Sequence, residues 1–423
     1  QQQSQSQSQS SSSYSLPQQL TQVIEHCCLL TLEKMALGGM YDQLASGFHR
    51  YSVDREWHVP HFEKMIYDQA QLISSFVEAY QVSSNQRNVF EHVARQVIEY
   101  MKRDMMLQLP QSASSSSSSS AAQAESMAAF YSAEDADSYP TFQEQDSHGK
   151  KREGAFYAWS YTELKKLLES EPIVVTEPSP SASTKQEMSS GGGSSSHSSN
   201  LFDLFSFVFN IKQNGNVSSS SDPHGELRGL NILTQLGSAH DDSSSLMDDA
   251  LEVFSKKDPS IRTVQQLESA IDRAKCILLR ERDRTRPRPH LDDKIIVSWN
   301  ALMISALARA SQVLQVEEYA QLGEQVARFI RTTLYNGEQK TLYRTCRYSK
   351  SEQRALMPAS GMIEGFLSDY CFMVCGLLDL YEATGHIEWL QWAIELQQRQ
   401  DELFLDNANG GYYEVTGHDE SIL

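Results

Sequence analysis

The chain has 423 residues, with 55 acidic against 36 basic side chains and a formal net charge of −19. A surface that negative repels DNA, RNA and anionic lipid, which argues against nucleic-acid and membrane partners. No run of 18 apolar residues is present to span a bilayer, and the six cysteines make neither a CxxC pair nor a zinc-type spacing with histidine.

In chain order, residues 1–16 are nearly all Gln and Ser and bury too little apolar area to offset their ordering entropy, so they are expected to be disordered. Residues 17–423 read as one domain. Serine-rich stretches near 111–125, 176–200, 216–222 and 238–245 are expected to be disordered inserts in its loops. The N-terminal tract has neither a basic nor an apolar region, so it is no secretory signal. With few cysteines in a long chain, a soluble and intracellular protein is expected rather than a secreted one. The missing initiator Met suggests a fragment.

The periodicity predicts a first helix over 17–36, closed by Gly38-Gly39 in the left-handed conformation glycine permits. A polar loop follows, then Pro60 as a helix start, and an apolar rhythm from Phe62 through Met65, Ile66, Leu72, Ile73, Phe76, Val77 and Tyr80. Lys64 and Asp68 fall on its polar stripe. Further helices are predicted over 86–106, 161–169, 200–210, 246–256, 264–284, 298–314, 317–333, 361–384 and 387–404. Ser160 with Glu163 forms a capping box for one of them, and Ser298 caps another. Short connections imply antiparallel neighbours. Met362–Tyr381 and Trp299–Ala310 are apolar nearly all round, so they must be covered on most sides, whereas the other helices have a solvated face. Cys371 and Cys375, four apart on one of these covered helices, read as buried free thiols. The expected fold is all-α, a toroid of helical hairpins with short aromatic ribbons on its end loops.

Four clusters carry chemistry. In "GFHRYSVDREWHVPHF", Arg50, Tyr51 and Trp57 suit a sugar, whose rings stack on aromatic faces while Arg bonds hydroxyls; His49 stands beside them. His58 and His61 suit an acid–base pair, because imidazole titrates near neutral pH. A metal held by His58, His61 and Glu63 is disfavoured by the splay of a helix start, so no metal and no cofactor is expected. In "FYSAEDADSYP", the packing of Glu134, Asp135 and Asp137 raises one carboxyl pKa, as a general acid needs. In "LDDKIIVSWN", Asp293, Trp299 and Asn300 surround a buried helix start whose free N–H groups favour a polar ligand or a carboxylate. In "EGFLSDY", Glu364 suits a first helical turn, while Asp369 beside Tyr370 is a charge on an apolar helix, best explained by a wet lumen.

Taken in order, "GGMYDQLASGFHRYSVDREWHVPHFEKMIYDQAQL", "FYSAEDADS", "KREGAFYAWS", "DPHGELRGLNIL", "RPRPHLDDKIIVSWNALMISALARAS" and "EGFLSDYCFMVCGLLDLYEATG" resemble the spermatogenesis-associated, YyaL-type thioredoxin-domain-containing proteins. The resemblance covers about residues 17–414 apart from the serine-rich inserts. It implies an (α/α)6 toroid like that of six-hairpin glycosidases and N-acylglucosamine 2-epimerases. It also implies an N-terminal thioredoxin-like domain that this chain lacks, and last helices that it stops short of. The family has glycine where this chain has Ser46 and Ala301. As an epimerase, His58 or His61 takes and returns a proton beside a sugar carbonyl. As a hydrolase, two of Asp135, Asp293 and Asp369 flank the glycosidic bond. The remaining reading is a non-catalytic scaffold working with the thioredoxin-like domain. Convergence of Arg50, Tyr51, Trp57, His61, Asp293 and Trp299 on one cavity favours the sugar enzyme; their scatter over separate surfaces, or their saturation by salt bridges with no void, favours the scaffold.

Overall fold

The computed structural model describes residues 16–83, 87–109, 126–174, 199–236, 245–349, 351–352, 354–356, 358 and 361–416. The Gln/Ser tract before Leu16 and the serine-rich stretches 111–125, 176–198 and 238–244 lie outside the described residues.

Twelve α-helices follow one another among the described residues: α1 (Leu16–Leu37), α2 (Ile66–Val82), α3 (Arg87–Tyr100), α4 (Phe142–Asp146), α5 (Tyr161–Leu168), α6 (Leu201–Val208), α7 (Leu246–Lys257), α8 (Val264–Thr285), α9 (Val297–Leu314), α10 (Glu317–Thr333), α11 (Leu367–Thr384) and α12 (Ile387–Phe404). Helix α9 packs against α2 on one side and α11 on the other, and each of these three carries its own outer partner: α3 on α2, α10 on α9, α12 on α11. This is the alternation of an α/α toroid, and it follows from composition. Ala301, Met303, Ile304, Ala306, Leu307, Ala308 and Ala310 of α9 are all essentially buried, so only a narrow strip with Arg309 and Gln312 reaches water. In α12, Trp389, Trp392, Ala393 and Leu396 are buried at three- and four-residue spacing, while Glu388, Gln391 and Ile394 are exposed. A second core of Trp159, Leu164, Leu204, Phe205, Leu267 and Leu278 gathers α5, α6, α7 and α8.

Short antiparallel ribbons join the helix ends. One sets Lys64–Met65 and Leu291–Asp292 on either side of Ala133–Glu134, and α2 begins directly after its Met65. Another pairs Ile295–Ile296 with Thr345–Cys346, and α9 begins directly after its Ile296. The ribbons therefore set the starts of the inner helices.

Several local expectations are corrected. Residues 60–65 are extended ribbon rather than a first helical turn, so Pro60 pairs with Ser52 and α2 starts at Ile66. Gly38 and Gly39 have no positive φ; they are needed because a Cβ would lie 2.3 Å from the Trp57 carbonyl oxygen and 1.9 Å from that of His58. Ser46, where glycine was expected, does take a positive φ of 68°. Helix α3 ends in a π-helical turn over Met101–Met105. Helix α11 begins at Leu367, so Glu364 lies before it, bridged to Tyr343. Cys371 is half-buried and Cys375 exposed, so neither is the buried thiol expected. Ser160 does cap α5 by accepting from the Glu163 N–H, but the Glu163 carboxylate turns to Arg286, 2.8 Å away. The serine-rich stretch 216–222 is a built turn, in which Asp222 accepts from the backbone N–H groups of Glu226 and Leu227.

A close approach between two inner helices tests this packing. A Cβ on Gly376 of α11 would stand 2.7 Å from the Ala301 carbonyl oxygen of α9, a backbone atom that cannot step aside. Gly376→Ala is expected to cost about 1–3 kcal/mol in urea unfolding, as overpacking does. Gly337→Ala, whose Cβ would meet nothing nearer than 4.0 Å, is expected to stay within about 0.5 kcal/mol.

Candidate functional site

Below the loop after α1, charges are buried and paired. Lys64 is 1% exposed; its Nζ donates to Asp42 Oδ2 at 3.0 Å and to the Ser46 carbonyl at 2.9 Å, and it stands 4.5 Å from the Tyr100 ring centroid. Arg282 of α8 donates to both Asp42 oxygens at 3.2 Å and packs over Phe156. Burial alone would raise the Asp42 pKa, but the Arg282 and Lys64 charges outweigh it and hold the carboxylate well below its usual range. Lys64 was expected on a solvated stripe. Because residues 60–65 are extended, side chains alternate, and Phe62, Lys64 and Ile66 all turn inward.

His49 belongs to this interior. It is 1% exposed, packed against the rings of Phe62 and Tyr157, and its Nδ1 lies 3.0 Å from the Phe62 carbonyl oxygen. Burial, with Lys64 nearby, lowers its pKa to about 3, so the ring is neutral and its Nδ1–H donates to that carbonyl. Glu134 is likewise interior, accepting from the Tyr100 hydroxyl at 2.7 Å and from Arg288 at 3.1 Å. Neither is placed as a substrate contact.

A second set of groups is half-open. His61, on the ribbon before α2, has Nδ1 2.6 Å from Glu153 Oε1 and Nε2 3.3 Å from Glu63 Oε2. Arg50 donates to the same Glu63 oxygen at 2.9 Å, and Tyr51 stacks on the His61 ring at 5.0 Å between centroids. The first turn of α2 adds Tyr67, edge-on to Trp299 of α9 at 4.9 Å, and Asp68, whose Oδ2 is buried with no hydrogen-bond partner. Burial raises the Asp68 pKa to about 6; Arg50 opposes this and Glu63 adds to it. On the Glu153 side, a cavity of about 310 Å³ opens between Tyr51, His61 and the turn at Ser220–Leu227.

The remaining candidates are dispersed. His58 lies beside Asn216 and Ile232, and burial lowers its pKa; its backbone N–H is held by Asp54. It therefore faces other groups than His61 does. Trp57 takes a positive φ of 57° and gives its carbonyl to Gly39. Asp135 is 3.5 Å from Lys151, and Asp293 pairs with Arg347. Asn300 is buried and clips the Phe130 backbone through both its oxygen and its nitrogen. Tyr370 is buried and accepts the Leu342 N–H with its hydroxyl.

Asp369 does not line a wet lumen. It is fully buried, accepts the Ser298 N–H at 3.0 Å and the Phe366 N–H at 2.9 Å, and pairs with Arg344 at 3.1 Å. It thus caps α9 from outside, the role expected of Ser298, and caps its own helix as well. Glu63, Asp68 and Glu153 were missed as site members. The pair of extended residues that brings His61 and Glu63 to one side of the ribbon was hidden by the assumption of a helix. Glu153 comes from 92 residues away in sequence from His61, and nothing local announces it. No group of three His, Cys, Asp or Glu suited to a metal ion occurs among the described residues.

No family model matches the chain. Spermatogenesis-associated protein 20 of Homo sapiens is 34% identical over 403 residues, 95% of this chain and 43% of that protein. Over the matched stretch the chain is homologous to spermatogenesis-associated protein 20. The rat member is 33% identical over 400 residues, and an uncharacterised protein of Caenorhabditis elegans is 35% identical over 394 residues. The chain spans less than half the length of these relatives, between 41% and 45%. Among solved structures, a D-mannose isomerase aligns over 95% of this chain and 76% of its own, at 12% identity and a TM-score of 0.31. A cellobiose 2-epimerase from Bacillus thermoamylovorans aligns over 94% and 73%, at 10% identity and a TM-score of 0.29. At such scores no residue is carried over from either.

The Asp68 environment gives a pH signature. Its folded pKa lies above the unfolded carboxylate value, so its contribution to stability is full below about pH 4 and is lost as pH rises through about 6. Asp68→Asn is expected to gain about 1–3 kcal/mol over the parent at pH 7 and nothing at pH 4. Urea unfolding of both proteins across that range measures the difference; a constant difference would refute the assignment.

Proposed function

We propose that His61, held between Glu63 and Glu153 beside Arg50 and Tyr51, is a proton-transfer centre acting on a sugar, in the manner of an epimerase or isomerase. The observation that carries this is an imidazole with a carboxylate at each nitrogen, stacked on a half-exposed tyrosine ring with Arg50 on its Glu63 side. A carboxylate at Nδ1 fixes the orientation of the ring. An imidazole held in this way can give a proton from one nitrogen and take one back. In an epimerisation that proton belongs to the carbon beside the ring-opened carbonyl. Tyr51 offers a stacking face for the sugar, and Arg50 a donor for its hydroxyls.

Hydrolysis by two of Asp135, Asp293 and Asp369 is less well supported, since each is tied to a separate cation and Asp369 is sealed from solvent. The scaffold reading draws support from Trp57, Asp293 and Trp299, which do not line the cavity beside His61, and from the ion pairs that engage Arg50 and Asp293. In that reading the toroid serves a thioredoxin-like domain of the longer protein.

The two readings separate in heavy water. Incubated with mannose, glucose or N-acetylglucosamine, the chain is expected to place deuterium at C2, visible by proton NMR. His61→Gln is expected to slow the exchange at least about 100-fold, a loss of general acid–base catalysis. His58→Gln is expected to leave it unchanged. Absence of exchange across the panel would leave the scaffold standing.

A further inference from the structure

The geometry points to a subsite for a second, neutral sugar ring in the cavity between the Tyr51–Phe62 hairpin and the turn Ser220–Leu227, making the substrate of the His61 centre a disaccharide or longer glycan. This inference rests on the proton-transfer reading of His61 and specifies what that centre acts on.

Three observations carry it. The first is size. The cavity holds about 310 Å³, at the lower end of the roughly 300–1,000 Å³ typical of small-molecule sites. That suits one sugar ring and little more. The second is lining chemistry. Val53, Val59, Phe62 and Leu227 supply apolar wall, and Tyr51, 49% exposed, supplies an aromatic edge. The polar part is Glu153, Asp222, Glu226, two serines and two histidines, with neither Lys nor Arg. Lys150, the cation at its edge, is engaged by Glu226, so a phosphorylated or acidic sugar finds no free Lys or Arg in the lining. A cation is not called for either, because the carboxylates already have donors. Glu153 faces His61 and accepts the Phe62 N–H; Glu226 takes Lys150 and the Glu153 N–H; Asp222 takes the Glu226 and Leu227 N–H groups. Their remaining lone pairs accept hydrogen bonds from hydroxyls. The ligand class that fits is a neutral polyol ring.

The third observation is position. The His61 ring has one nitrogen toward Glu153, a wall of the cavity, and the other toward Glu63, which leads to Arg50. A ring lodged in the cavity therefore lies on the Glu153 side of the imidazole proposed to act on its neighbour, which would lie on the Glu63 and Arg50 side, the arrangement of two adjoining subsites. The far wall is prebuilt. The Ser220 N–H bonds to Ser218 Oγ, and Gly225 supplies a positive φ of 71° that a larger residue would strain. The serine run that reads as filler in the sequence is one side of the pocket.

Isothermal titration of the chain with glucose, cellobiose and maltose tests the inference. At least one disaccharide is expected to bind ten or more times tighter than glucose. Ser221→Trp and Val53→Trp, filling the cavity from opposite walls, are each expected to reduce that disaccharide to the affinity of glucose while leaving glucose within twofold. Their thermal midpoints identify either variant that fails to fold, and the other then decides. Equal affinities in the parent chain, or a disaccharide advantage that survives the folded variant, would overturn the subsite. Glucose binding and C2 exchange with no disaccharide advantage would remove the subsite and leave the proton-transfer centre intact. Silence toward every sugar would remove both.

Discussion

The bond from Lys64 to Asp42 is the constraint on which the arrangement around the site depends. Asp42 comes from the loop after α1, Lys64 from the ribbon that starts α2, and Arg282 from α8, so one carboxylate ties three distant stretches together. An isolated ammonium in this interior would be prohibitively desolvated. Asp42, the Ser46 carbonyl and the faces of Tyr100 and Tyr157 together replace its water. The cost of breaking such a pair exceeds its net worth, because the survivor is left charged and uncompensated. With Lys64 anchored below, the next ribbon residues toward the N-terminus hold His61 and Glu63 at the rim.

The contrast between interior and rim separates structural from chemical roles. His49 and His61 are twelve residues apart and equally suggestive in the sequence. One is sealed among Phe62 and Tyr157 and held neutral; the other is half-open between two carboxylates. Asp68 and Asp369 show the same divergence. Both lie in the first turn of an inner helix. Asp369 satisfies two backbone donors and an arginine, whereas Asp68 keeps an unpartnered oxygen. What distinguishes members of each pair is how many donors the fold brings to them.

Much of the helical frame was legible. The long apolar stripes of α8, α10 and α12 place their ends within a residue or two, since three- and four-residue spacing leaves little choice. Alanine-rich α9 announces its own burial. What failed was local and has one cause. Phe62 and Ile66, four apart, fit a helical rhythm as well as an alternating one, and a short window cannot tell them apart. The ribbon with Ala133–Glu134 and Leu291–Asp292 decides it, and that pairing is long-range. Mistaking ribbon for helix put Lys64 in solvent and hid the way His61 meets Glu63. The cap on α9 failed for a similar reason: the helix starts at Val297, ahead of Ser298, and Asp369 accepts the Ser298 N–H from 71 residues away.

That shared cap has a mechanical meaning. A single carboxylate closes the first turns of both α9 and α11, so the axial stagger of these two rods is pinned at one end. If α11 slid by a turn, Ser298 would lose its acceptor and the notch at Gly376 would no longer meet Ala301. The connections that lead into these rods can change in length without altering their phase. The inner wall is thus insulated from drift in the segments that decorate it.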